Sequence, residues 1–107
     1  MNPEEYEDKH QDFPEFWETE LKGCLGPSHP HLKSITNYVM HGVPLSSFFT
    51  HVFQNDFVQA VVRADQFNST QLLTYAQMLW NSVPTLCWGS PERVQEWIRK
   101  GGVRKNR

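Results

Sequence analysis

The stretch Asn55-Asp56-Phe57-Val58-Gln59-Ala60-Val61-Val62-Arg63-Ala64 can be read in two ways, and the choice decides the fold. Its valines favour a strand, because β-branched side chains fit a pleated surface. A strand needs a partner, however, and no second strand candidate exists to pair with it. The helical reading makes Asn55 the cap of a helix over Asp56 to Ala64. Phe57, Val58, Ala60, Val61 and Val62 make that helix apolar nearly all round, which predicts a path through the centre of the core. The chain is then all-α.

On either side, proline and glycine divide the chain into short helical segments. Upstream, Pro44 suits the first turn of a helix over Leu45 to Gln54, whose Leu45, Phe48, Phe49, Val52 and Phe53 form a wide apolar stripe. Before it, Leu32, Ile35, Tyr38 and Val39 recur at helical spacing between His31 and the stop at Gly42. The first helix is expected over Pro14 to Lys22, with Phe16, Trp17 and Leu21 inward and Gly23 as its stop; Gly23 to Pro30 is a loop. Downstream, Asn68-Ser69-Thr70 offers capping oxygens for a helix over Thr70 to Asn81 carrying Leu72, Leu73, Ala76, Leu79 and Trp80. The last signal is the cleanest: Ser90-Pro91-Glu92 is an N-cap, first-turn proline and acidic first turn, and Gly101 marks the far end, with Val94, Trp97 and Ile98 inward. These segments predict a single compact all-α domain of about six short helices over residues 13–102. It is flanked by a loosely ordered acidic arm, 1–12, and a basic tail, 103–107.

The chain has 107 residues and 38% apolar content, enough for one core and too little for two. The uncharged run Ser34 to Asn55 is punctuated by Asn37, His41, Pro44, Ser46 and Ser47, unlike a membrane span. The acidic start lacks a basic, apolar leader, so the cytoplasm is the expected compartment, the host's if the chain is phage-encoded. Cys24 and Cys87 are then expected as reduced thiols. Cys24, His29 and His31 lie close together, but their spacing matches no zinc motif, so neither a metal nor another cofactor is expected. The net charge of −2 hides an asymmetry: residues 1–20 carry eight acids against Lys9, and residues 21–107 nine basic groups against four acids. Such an arm can lie over a basic surface of its own chain, a subunit or a host protein. The dispersed positive charge lacks the dense stripe of a duplex-DNA binder.

Catalytic constellations are missing: no nucleophile elbow, Walker loop or His-Glu-x-x-His motif occurs. Asp56 and Asp65 sit where carboxylates cap helices, and His41 precedes the Gly42 stop, so the chain is expected not to be an enzyme. Binding is the better reading. Ser46 and Ser47 open a helix whose first amides can hold a phosphate. Arg63, the only lysine or arginine between Lys33 and Arg93, needs a partner in so apolar a segment, either Asp56, Asp65 or an external anion. Among the aromatics of the second half, Phe67, Tyr75, Trp80 and Trp97 are expected mainly in the core. Trp88, beside Gly89 in a loop, can offer a face for stacking. The four residues Ser46, Ser47, Arg63 and Trp88 would together hold an anionic nucleotide.

His41-Gly42-Val43-Pro44, Ser47-Phe48-Phe49, Asn55-Asp56, Arg63-Ala64-Asp65 with Asn68, Trp80-Asn81, Pro84, and Cys87-Trp88-Gly89-Ser90 with Trp97 follow one another over residues 41–97. This succession resembles a group of small phage and prophage proteins with the pattern H-G-[IV]-P…S-F…N-D…R-A-D…N…P…C-x-G-S…W. The resemblance implies a phage-type accessory protein. By analogy of size and setting, it points to a counter-defence inhibitor that sequesters a cyclic-nucleotide signal in pockets between subunits of a homo-oligomer. A module that blocks a host protein through its acidic arm is the alternative. With 14 aromatic residues in so short a chain, leftover apolar surface is expected to become an interface between copies.

Overall fold

The computed structural model describes residues 14–103; the expected arm, 1–12, and the tail beyond Val103 lie outside them. Seven α-helices and one 3₁₀ turn follow one another with no strand among the described residues. They are α1 (Pro14–Leu25), α2 (Leu32–His41), α3 (Ser47–Phe53), α4 (Phe57–Arg63), α5 (Gln66–Ser69), α6 (Leu72–Asn81), the 3₁₀ turn Thr85–Cys87 and α7 (Pro91–Lys100). The fold is all-α and packs as one globule, with a radius of gyration of 12.9 Å, close to the value of about 13 Å for 100 compactly folded residues.

Local chemistry sets most of the helix ends. Ser46, Asp56, Asp65 and Ser90 cap α3, α4, α5 and α7, each side chain accepting from the amide three residues on. Gly42 and Gly101 close α2 and α7 in the left-handed conformation, as their positions predict. Three boundaries differ. α1 runs through Gly23 to Leu25, and its stop is Gly26, whose amide donates to the Lys22 carbonyl at 2.9 Å. Pro44 stays outside α3. Asn55 is not the cap of α4; it makes the left-handed turn between α3 and α4 with φ of 62°, which asparagine tolerates, and Asp56 caps instead. The additional one-turn helix α5 arises because the Asp65 carboxylate accepts from the Asn68 amide at 2.7 Å. Asn68 itself does not cap α6; it is buried and accepts from the Tyr75 hydroxyl at 2.7 Å.

The core is built on α2 and α3, which bury Ile35, Tyr38, Val39 and Met40, and Phe48, Phe49, Val52 and Phe53. Trp17 and Leu21 reach it from α1, Tyr75, Met78 and Leu79 from α6, and Val94 and Trp97 from α7. Val103, placed in the basic tail, is fully buried and donates its amide to the Val39 carbonyl at 3.2 Å, so it packs with the helices.

α4 does not run through the core. It rests on α3 along the narrow stripe Phe57, Ala60 and Ala64, and Ala60 is its one fully buried residue. Val58, Val61 and Val62 face outward, 75%, 53% and 74% exposed. An alanine at the contact lets the two backbones approach, so apolar residues on the far side have nothing to pack on. α6 shows the same reversal, with Leu73 and Trp80 outside, at 72% and 75% exposure.

Candidate functional site

The four expected ligand residues are dispersed in role. Ser46 is spent as a cap, accepting from the Phe49 amide at 3.5 Å, and Ser47 is the exposed first residue of the seven-residue α3. Arg63 pairs with neither Asp56 nor Asp65. It lies on the exposed side of α4 and donates to the carbonyl of Gln59 at 3.2 Å and to its side-chain oxygen at 2.5 Å. No buried charge arises there, because the helix is a surface one. Trp88 is half-buried against the core, and its carbonyl accepts from Arg93 at 3.4 Å. Among the described residues no hydrogen bond, ion pair or ring contact joins any two of the four.

Two lysine side chains line a hollow elsewhere. The end of α1 and the start of α2 enclose, with the loop between them, a concavity of about 390 Å³ lined by Lys22, Lys33 and His29, with Glu18, Thr36 and Asn37 on its walls. The sequence signal for it is modest: two lysines flanking a Gly- and Pro-rich loop that carries a histidine. Neither lysine stands out, because each occupies an ordinary surface position on its helix.

His29 is the structured member of this site. Its Nδ1 accepts from the His31 amide at 3.1 Å, which places the proton of the neutral ring on Nε2. The ring meets Phe67 and Tyr75 edge-on, with centroids 5.5 and 5.9 Å away, while His31 packs on Phe49 at 5.1 Å. Nε2 is shut off from solvent without a hydrogen-bond partner of good geometry. Burial lowers the His29 pKa below the usual histidine value, the neighbouring His31 lowers it further, and the Gln71 side chain acts in the opposite sense. Tyr75, beneath the pair, has its hydroxyl pushed up to about 12 by burial and by the Asp65 charge, so it stays neutral.

This arrangement gives a stability prediction. The unfolded chain binds a proton at a histidine near pH 6.5 that folded His29 refuses, so stability rises with pH across this window and falls on acidification. The melting temperature is expected to drop as the pH is taken from 7.5 through 6.5 toward 5. His29→Asn, which keeps an acceptor for the His31 amide, should flatten that slope in a series of thermal melts.

Two further concavities lie nearby in the fold. One, of about 690 Å³, runs between α1 and α6 past Thr19, Gly23 and Cys24 on one side and Gln77, Asn81 and Ser82 on the other. The other is a shallow hollow along α7 at Glu92, Glu96 and Arg99, where the Arg99 guanidinium is tied to Glu96. No group of three or more His, Cys, Asp or Glu able to hold a metal occurs among the described residues, and Cys24 and Cys87 are not joined in a disulfide. Asp56 and Asp65 are both engaged as caps. No described helix is long and apolar enough to cross a membrane.

No family model matches the chain, and no curated protein or solved structure shows significant similarity to it.

Proposed function

We propose that this is a non-enzymatic, phage-type accessory protein that holds an anionic nucleotide signal, and that the anion is held in the groove between Lys22 and Lys33. The carrying observation is that both lysines line one concavity of about 390 Å³. Two ammonium groups supply charge-assisted donors for phosphate oxygens, and the amide of Asn37 and hydroxyl of Thr36 add neutral ones. Ser46, Ser47, Arg63 and Trp88, the residues expected from the sequence, form the competing site. No step of bond making or breaking is needed: such a protein acts by lowering the free concentration of its ligand.

Titration calorimetry with cyclic di- and trinucleotides tests the reading, preceded by a thermal-shift screen in which a bound ligand raises the melting temperature by mass action. Lys22→Glu with Lys33→Glu is expected to weaken binding about tenfold or more, as removal of two charge-assisted contacts does. Ser46→Ala, Ser47→Ala, Arg63→Ala and Trp88→Ala should leave it within about twofold on the same scale. Absence of any shift at about 1 mM nucleotide would reject the nucleotide reading, since even weak binding registers at that concentration.

A protein-blocking module is the second reading, favoured by the outward valines of α4. The acidic arm invoked for it lies outside the described residues. A host partner captured by the full chain and released on deletion of residues 1–12, with nucleotide binding intact, would support it.

A further inference from the structure

We propose that His29 is a proton-operated latch: the neutral ring seats the segment 27–30 on α5 and α6, and the protonated ring releases it while the helices stay packed. The inference goes beyond the anion reading and holds whether or not the neighbouring hollow takes a ligand.

The segment hangs between two anchored ends. At one end the Gly26 amide donates to the Lys22 carbonyl of α1 at 2.9 Å, and at the other the Ile35 amide of α2 donates to the His31 carbonyl at 3.0 Å. Between them Pro27 and Pro30 have no amide hydrogen to give. The bonds that exist are local, from the His29 amide to the Gly26 carbonyl and from the Leu32 amide to the His29 carbonyl, both at 3.2 Å. Among the described residues no backbone hydrogen bond crosses from this segment to α5 or α6. Rings cross instead: His29 stands edge-on to Phe67 of α5 at 5.5 Å and to Tyr75 of α6 at 5.9 Å. A segment with so few ties opens locally, at a free energy below that of global unfolding.

The two nitrogens of the ring fit this seat in one protonation state only. Nδ1 accepts from the His31 amide at 3.1 Å, so a second proton on the ring has to go to Nδ1. Two N–H groups then face each other, and the bond that sets the angle of the ring is lost. Nε2, already shut off from solvent, leaves the new charge without water on that side. The surroundings offset little of it. His31 is a second imidazole beside the first, at 5.8 Å, and Tyr75 keeps its proton. α5 offers one carboxylate, its cap Asp65, which is held by the Asn68 amide. α6 offers none, since residues 66–91 contain no Asp, Glu, Lys, Arg or His. α3, which meets His31 through Phe49, carries His51 as its one titratable residue. Across the hollow, Lys22 and Lys33 oppose a further positive charge and Glu18 favours it. The Gln71 side chain also favours the charged ring, but burial outweighs it, with His31 acting in the same sense as burial.

Once released, the ring regains the ordinary histidine value near 6.5, so opening takes up a proton. The latch is therefore closed above that pH. Each pH unit below it favours opening by up to about tenfold, until the seated ring itself titrates. Pro27, His29 and Pro30 also wall the hollow beside Lys22 and Lys33, so that wall moves with the latch.

Proton NMR of the full chain between about pH 7.5 and about pH 5, with far-UV circular dichroism on the same samples, tests the latch across the histidine range. At the upper pH, nuclear Overhauser contacts should join the His29 ring to Phe67 and Tyr75, and the His31 amide should be protected from exchange. Acidification is expected to remove both. The helical signal should stay unchanged, as should the resonance of the Trp97 indole N–H, which is bonded to the Tyr38 and Val39 carbonyls. His29→Asn keeps an acceptor for the His31 amide and cannot titrate. Its His31 protection, corrected for intrinsic exchange, should change by less than about threefold over the range, against about tenfold or more for the parent. His29→Phe, which keeps a ring against Phe67 and Tyr75, should hold those contacts at both ends of the range. His29 ring contacts that persist at the lower pH overturn the proposal. So does their loss only together with the Trp97 signal, which is unfolding of the whole domain, or a His31 amide that still loses protection in His29→Asn.

Discussion

Gly102→Ala is expected to lower stability by about 3 kcal/mol or more, a fall in melting temperature of at least about 12 °C for a domain of this size. The sequence marks this glycine only as part of a helix ending. In the fold, the C-terminal caps of α2 and α7 meet backbone to backbone. A Cβ on Gly102 would stand 2.6 Å from the Met40 carbonyl carbon and the His41 amide nitrogen, and 2.7 Å from the Gly42 nitrogen. A Cβ on Gly42 would likewise stand 2.9 Å from the Gly101 Cα. Backbone atoms cannot swing aside as a side chain would, so the caps must separate. Gly102 also holds a φ of 75°, which alanine adopts only with strain. Gly26 provides the internal comparison: its φ is 93°, yet nothing lies within 4 Å of its Cβ position. Gly26→Ala should therefore cost only about 1 kcal/mol, the conformational part alone. If chemical denaturation gave equal losses for the two variants, the close approach of α2 and α7 would be wrong.

Trp97→Ala should be comparably severe, about 3–5 kcal/mol, the usual range for emptying a buried large aromatic site. Trp97 is 1% exposed, and its indole nitrogen donates to the carbonyls of Tyr38 and Val39 at 3.1 and 3.2 Å. Those carbonyls belong to the last turn of α2, where no intrahelical donor remains for several of them. Each has a second donor, however: the Gly42 amide reaches Tyr38 at 2.8 Å and the Val103 amide reaches Val39 at 3.2 Å. Trp97→Phe, which keeps most of the ring volume and loses the N–H, should then cost only about 1–1.5 kcal/mol. Equal losses for the two substitutions in urea melts would mean that the hydrogen bonds, not the packing, hold α7 to α2.

Both predictions concern the same seam, and it ties the chain's end to its middle. Tyr38 strengthens it from the other side by donating its hydroxyl to the Cys87 carbonyl at 2.7 Å, and burial holds that hydroxyl in its neutral form. The Gly89 amide donates to the Phe53 carbonyl at 2.8 Å and closes the end of α3 in the same way. The loop from Pro84 to Ser90 is thus fixed by its backbone, and Trp88 is drawn against the core instead of standing free for a ligand.

The proposed ligand site shows how far residue types alone can lead. Serines at a helix start, an arginine in an apolar segment and a loop tryptophan each have the chemistry of a phosphate or base contact. Their local duties in the fold are a cap, a bond to Gln59 and partial burial. Lys22 and Lys33, which carry no distinguishing local pattern, meet because α1 and α2 pack against each other with His29 in the loop between them.

By itself the sequence determined the helical class, the caps at Ser90 and Gly42, and the inward faces of α2, α3 and α7. Each of these depends on contacts within about four residues, or on a stripe narrow enough to have one inward side. Only the tertiary structure decided what α4 and α6 present to solvent. Val58, Val61 and Val62, like Leu73 and Trp80, surround helices that are apolar on more than one side, so periodicity has no single direction to report. The inward face there is whichever side the neighbouring helix reaches first: Ala60 against α3, and Tyr75 and Met78 within the core. The valines, Leu73 and Trp80 are left outside because one chain of this length lacks the surface to cover them.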